Sequence, residues 1–214
     1  MPKQIEIGFL IYPGVTQLDA TGPAQILSMI DGAVIHMIWK SLDPVATDAG
    51  FSINPTDTLQ SCPALDVLCV PGGPGQRALM DDGEILGFLK RQGDQARYVT
   101  SVCSGSLLLG AAGLLQGYRS ACHWAFRDLL PMFGAIPAAE RIVRDRNRFS
   151  GGGVTAGIDF GLALAAELAG EERAREIQLY IEYTPAPPYD AGSPERAGPA
   201  LTARVRAMLT TTPN

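Results

Sequence analysis

The sequence predicts a single α/β domain built on a mostly parallel sheet. Three observations carry that expectation. Short apolar runs rich in β-branched residues alternate with longer segments of helical composition, the pattern of strands joined by right-handed crossover helices. Glycine and proline close the strands, as in Pro13-Gly14 and Pro71-Gly72-Gly73-Pro74-Gly75. No repeat or linker divides the 214 residues, of which 46% are hydrophobic, so residues 1–214 read as one domain with one sizeable core.

In chain order, residues 5–12 (IEIGFLIY) form a first strand, apolar enough to be central. A helix is expected from about Pro23 to Ile30, with proline in its first turn, after the segment Gln17-Leu18-Asp19-Ala20-Thr21-Gly22. Residues 34–39 are a second strand, and His36, in its middle, reads as structural. The punctuated piece from Ser41 to Pro63 predicts a short hairpin and loop. Residues 65–70 form a third strand, a helix follows over 83–96, and Tyr98 to Val102 is a fourth strand leading to a helix that ends at Gly113. Ala125 to Phe133 reads as helical despite Pro131. Two strands surround the turn at Asp145-Arg146-Asn147. Thr155 then caps an apolar helix over 156–168, and an amphipathic helix spans 171–183. Residues 185–199 make a proline- and glycine-rich surface excursion before a last helix at 201–209.

Composition narrows the function. The net charge of −5, with Lys and Arg scattered, offers no basic patch for nucleic acid. No apolar run reaches the ~18 residues of a membrane span, and the N-terminus has no signal-peptide pattern. Cys62, Cys69, Cys103 and Cys122 have no CxxC spacing, which reads as free thiols in a reducing cytoplasm. No His/Cys/Asp cluster has metal-ligand spacing, so neither a metal nor a cofactor is expected.

The candidate nucleophile is Cys103. It lies between a buried strand and a helix, at a sharp turn that would lift a side chain above the sheet. Partial positive charge and free N–H groups at the helix start would favour its thiolate. Ser104 and Gly105 are small enough to admit a substrate. A small buried cysteine packing beside a sheet leaves the same local pattern. Ligand sites in open α/β sheets lie at the carboxyl ends of strands. Three candidates share that edge: Asp19 after the first strand, Gly72-Gly73 after the third, and Cys103 after the fourth. The glycine N–H groups would suit an anion, although a tight turn explains them as well. An aspartate before a helix is also a normal cap. Gly152, in the run Gly151-Gly152-Gly153, is a further candidate backbone donor.

The chain resembles the DJ-1/PfpI superfamily, and within it the isocyanide (isonitrile) hydratases. The resemblance rests on Gln17-Leu18-Asp19-Ala20-Thr21-Gly22-Pro23, Cys69-Val70-Pro71-Gly72-Gly73, Thr100-Ser101-Val102-Cys103-Ser104-Gly105, Ala112-Gly113-Leu114-Leu115-Gln116-Gly117, His123-Trp124, residues 151–160 and Tyr183-Thr184-Pro185-Ala186-Pro187-Pro188. It implies a flavodoxin-like sandwich with helices on both faces, a homodimer, a nucleophile at Cys103 and an essential acid at Asp19. It departs at one position: the hydratases carry Thr after the nucleophile, and this chain has Ser104. The hydroxyl is kept and the rotamer control of the methyl is lost.

The implied reaction fits the side chains. The Cys103 thiolate adds to the terminal carbon of an isocyanide as Asp19 delivers a proton, and water then releases an N-formamide. Asp19 must start protonated, which needs a raised pKa. Ser104 would position the acid or steady the sulfur, and His123, on a segment that approaches the elbow in relatives, is a minor site candidate. Peptidase-like members place His directly after the cysteine, and amidotransferases need a late His-x-Glu; this chain has neither. Two alternatives stay open. One is a glyoxalase- or deglycase-like enzyme on small aldehydes, whose members use Glu where this chain has Asp19. The other is a ligand-sensing domain of the AraC-regulator type, disfavoured because only one short helix follows the proline-rich stretch.

Overall fold

The computed structural model describes residues 4–211. These form β1 (Ile5–Leu10), α1 (Gln17–Leu27), β2 (Ala33–Trp39), a hairpin of β3 (Val45–Ala46) and β4 (Ser52–Ile53), β5 (Asp57–Thr58) and β6 (Val67–Val70). Next come α2 (Gln76–Leu79), α3 (Gly83–Gln95), β7 (Tyr98–Val102), α4 (Gly105–Ala111) and β8 (Arg119–Ser120). A 3₁₀ turn (Arg127–Phe133) precedes β9 (Ile136–Pro137), β10 (Ile142–Asp145) and β11 (Arg148–Gly151). Four helices complete the chain: α5 (Ala156–Ala169), α6 (Glu171–Tyr180), α7 (Pro194–Ala197) and α8 (Pro199–Thr211).

Seven strands join in the order β10-β11-β7-β6-β1-β2-β5, all parallel except β10, which runs antiparallel to β11. The central strands are covered on both faces, which is why β6 reads as an unbroken apolar run and β1 as one interrupted only by Glu6. Helix α1 packs against α5 and α5 against α6, while α2 and α3 pack against α4. Because β7, β6 and β1 are neighbours, the loops leaving their carboxyl ends meet above one edge of the sheet. His36 lies elsewhere, on β2, with Nδ1 2.7 Å from Asp57 and Nε2 2.6 Å from Glu6. Among the described residues, no helix is long and apolar enough to cross a membrane.

Several elements differ from expectation. Helix α1 starts at Gln17, so Pro23 lies inside it and Asp19 sits in its first turn. Proline removes one helical hydrogen bond. Tertiary packing holds the helix nonetheless: α5 crosses so closely that a Cβ on Gly157 would stand 3.1 Å from Pro23 Cδ, and one on Gly161 3.3 Å from Pro23 Cα. The Ser41–Pro63 piece does contain a hairpin, but Asp57-Thr58 also pairs with Ile38-Trp39 as an edge strand, too short to show periodicity. Residues 127–133 wind as 3₁₀ because Pro131 lacks the N–H of an α-turn. Helix α6 stops at Tyr180. Thr155 precedes α5 without a side-chain cap; its hydroxyl instead accepts from Arg141 Nη2 at 3.2 Å.

Candidate active site

Cys103 occupies the single residue between β7 and the Ser104 that opens α4, and its φ is +57°, a left-handed value for a residue with a side chain. Such a conformation costs energy and survives only where its surroundings enforce it. Here the Cys103 N–H donates to Gly151 O at 3.0 Å, and its carbonyl accepts from His123 N at 3.3 Å. The sharp turn leaves the thiol facing Asp19, whose carboxyl comes from the first turn of α1.

Asp19 is fully buried. Its Oδ2 accepts from Gly72 N at 2.9 Å, and its Oδ1 is buried with no hydrogen-bond partner. It therefore does not cap its helix. Gly73 N donates to Ser104 Oγ at 3.2 Å. Both glycine N–H groups are thus engaged by side chains of the site, one holding the carboxyl and the other the hydroxyl, and do not form an open anion cradle. A side chain at Gly72 has no room: its Cβ would stand 2.6 Å from Ser104 N and 3.0 Å from Asp19 Oδ2. The loop is braced from below, with Tyr12 Oη donating to Pro71 O at 2.9 Å and Thr16 N to Gly72 O at 2.9 Å.

Burial dominates the electrostatics. It pushes the Asp19 pKa up to about 7, with the Asp48 charge adding to the rise and the Gly72 N–H and the Cys103 thiol opposing it. An ionised carboxylate with a bare, buried Oδ1 is expensive, and the protonated form is less so. The Cys103 thiol is pushed well up by burial, then by the Asp19 charge and Cys122, against which the Ser104 N–H pulls down. The expectation that the turn by itself favours the thiolate is therefore corrected: the sulfur is too deeply buried for one helical N–H to prevail. Thiol and carboxyl face each other, and of the two the thiol holds its proton more tightly. The other cysteines are also free, with pKa values pushed by burial to about 12 for Cys62 and Cys69 and about 11 for Cys122.

The remaining candidates stand further from this pair. His123 brings its backbone to the Cys103 carbonyl, but its Nδ1 accepts from Ala125 N at 3.3 Å and its ring lies between Trp124 and Phe126. Burial lowers its pKa, so the ring is neutral. Gly152 N donates to Arg141 O at 2.9 Å, and a Cβ there would stand 3.6 Å from Cys122 O. Sequence reasoning missed Asp48, Tyr12 and Ser106, whose hydroxyl donates to Cys103 O at 3.3 Å. A polar loop, a strand-end tyrosine and a helix serine carry no local signal of chemistry. Among the described residues, no three or more His, Cys, Asp or Glu side chains gather in a way that would hold a metal.

A cysteine at a strained strand-to-helix turn beside a buried carboxyl, on a mostly parallel flavodoxin-like sheet, defines a class, and the comparisons agree: the chain matches the DJ-1/PfpI family over residues 6–167 and belongs to that family. It is 54% identical to the isonitrile hydratase of Pseudomonas putida over 202 residues, covering 94% of this chain and 89% of that protein. The crystal structure of a ThiJ/PfpI family protein from Pseudomonas syringae superimposes with a TM-score of 0.91 at 50% identity, covering 97% of this chain and 85% of that one. The HTH-type transcriptional regulator GbdR of Pseudomonas aeruginosa is 34% identical over 187 residues, which span 82% of this chain and 48% of the regulator.

Proposed function

We propose that the protein is an isocyanide hydratase, a hydro-lyase that converts R–NC and water into the N-substituted formamide. The observation that carries this reading is the buried Asp19 carboxyl, with a pKa near 7, facing the Cys103 thiol in a chain 54% identical to an isonitrile hydratase. The proton shared by the pair passes to Asp19, leaving the Cys103 thiolate. The sulfur attacks the terminal carbon as Asp19 returns the proton to that same carbon, giving the thioimidate R–N=CH–S–Cys103. Asp19, now ionised, draws a proton from water as it adds to the carbon. Asp19 passes that water proton to the nitrogen, and the resulting R–NH–CH(OH)–S–Cys103 collapses to R–NH–CHO, expelling the sulfur as the hydroxyl proton returns to the Asp19–Cys103 pair. The Gly72 N–H holds Asp19 for both transfers, and the Gly73 N–H fixes the Ser104 hydroxyl beside it.

The test is loss of absorbance of an aromatic isocyanide with detection of the formamide, run beside methylglyoxal. Hydration without aldehyde turnover is expected; the reverse would move the protein to the glyoxalase-like reading. The likeness to GbdR favours a second reading, a ligand-sensing domain, and tight isocyanide binding without turnover would support it.

Ser104 gives a finer test. Ser104→Ala removes the acceptor for Gly73 N–H and is expected to lower turnover, whereas Ser104→Thr keeps the hydroxyl and is expected to retain or raise it. Equal rates for all three proteins would make the hydroxyl a bystander.

The protein acts as a single domain, a cytoplasmic homodimer on a small-molecule substrate, with neither nucleic acid nor membrane as partner; the dimer rests on the family resemblance. Sedimentation at micromolar concentration is expected to give twice the 22.7 kDa chain mass, and a monomer would contradict it.

A further inference from the structure

The β3–β4 hairpin sets Asp48 over the start of α1. Thr47 pairs with Val15, Asp48 N donates to Val15 O at 3.1 Å, and Gly14 N donates to Ala46 O at 2.9 Å. So docked, the Asp48 carboxylate accepts from Thr16 Oγ1 at 2.7 Å through Oδ2 and from Gln17 N at 3.4 Å through Oδ1. Thr16, the residue before the helix, makes no side-chain cap of its own, so the cap is supplied from outside the helix. Asp19 stands in that same first turn. The positive end of a helix dipole stabilises a carboxylate placed there, which would draw the proton off Asp19. A full negative charge seated on that end offsets the dipole and opposes a second negative charge beside it.

We propose that Asp48 is a positioning residue of the site, a carboxylate that occupies the N-terminal end of α1 and thereby keeps the proton on Asp19 at neutral pH. The effect on turnover rests on the general-acid reading above; the effect on the Asp19 proton stands without it. The titratable groups that face Asp19 are Asp48 from the hairpin, Cys103 from the elbow and Tyr12 from the end of β1. On α5, which packs against α1, Asp159 is bound by Arg141 Nε at 2.7 Å and by Tyr183 Oη at 3.1 Å. Of these groups, Asp48 is the one whose charge raises the Asp19 pKa, and it does so from an exposed position that can be changed without opening the core.

Asp48→Asn keeps an acceptor oxygen for the cap and removes the charge. The Asp19 carboxyl is followed across pH by the infrared carbonyl band of its protonated form, with Asp19→Asn as the blank. In Asp48→Asn that titration is expected to move to lower pH by roughly half a unit to one unit. The limb of the isocyanide kcat profile near pH 7 should move with it while KM stays put. High salt should shift the wild type in the same direction, since Asp48 is exposed. Superimposable infrared titrations of wild type and Asp48→Asn would overturn the proposal and leave Asp48 a structural cap, whatever the activities. If the wild type hydrates no isocyanide, the functional reading fails, and the infrared titration still decides the role of Asp48.

Discussion

Cys103→Ala is expected to abolish isocyanide turnover, by about 10³-fold or more, while the protein stays folded. In the proposed mechanism the Cys103 sulfur bonds to substrate, whereas the Cys69 sulfur is buried and accepts from Thr100 Oγ1 at 2.9 Å. Changes at Cys62, Cys69 or Cys122 should leave most activity. A second variant separates chemistry from strain. Glycine tolerates φ +57° far better than alanine, so Cys103→Gly should melt at or above Cys103→Ala while both remain inactive. Substantial formamide production by either variant would sink the covalent mechanism.

Asp19→Asn is expected to lower turnover by about 10²-fold or more, the usual scale for a positioned general acid. Asparagine keeps an oxygen for the Gly72 N–H and nearly the same volume, but it cannot give up and recover a proton. The reacting state holds one proton between Asp19 and Cys103, so turnover of the wild type should rise as pH rises through about 7, where the pair gives up its second proton, and this limb should be absent from whatever activity Asp19→Asn retains. The same residue makes a stability prediction. Its folded pKa of about 7 lies above its ordinary 3.8, so the folded chain holds a proton that the unfolded chain releases. The resulting stability is fully present below about pH 4 and is lost as pH rises through 7. Asp19→Asn should therefore melt at or above wild type at pH 8. An active, unstabilised Asp19→Asn would reduce Asp19 to a packing role. Asp19→Glu should also be impaired, because its extra methylene moves the carboxyl in a pocket that leaves no room for a Cβ on Gly72.

Much of this site was legible beforehand, and the parts that were not share a cause. The elbow showed itself because a β-branched run, small residues and a leucine-rich helix follow one another directly, so its structure is local. The Asp19–Cys103 facing followed from strand order, since neighbouring parallel strands bring their carboxyl ends together. The glycine pair was placed at the right edge with its job misassigned: which N–H meets which acceptor depends on distances of a few tenths of an ångström between segments far apart in sequence. Asp48 gave no signal, because a carboxylate in a polar hairpin looks like any solvated turn until the hairpin docks on α1.

By itself, the sequence determined the alternation of strands and helices, the mostly parallel sheet and the cysteine at the turn, because each depends on side-chain periodicity and backbone preference over a few neighbouring residues. Only the tertiary structure decided that α1 carries Pro23 in its interior, through the close crossing of Pro23 by Gly157 and Gly161. It alone decided the protonation of the site. A carboxyl with a pKa near 7 and a thiol pushed well up result from removing both groups from water and setting them face to face. Burial and electrostatic proximity are properties of the folded chain, and no local pattern of residues encodes them.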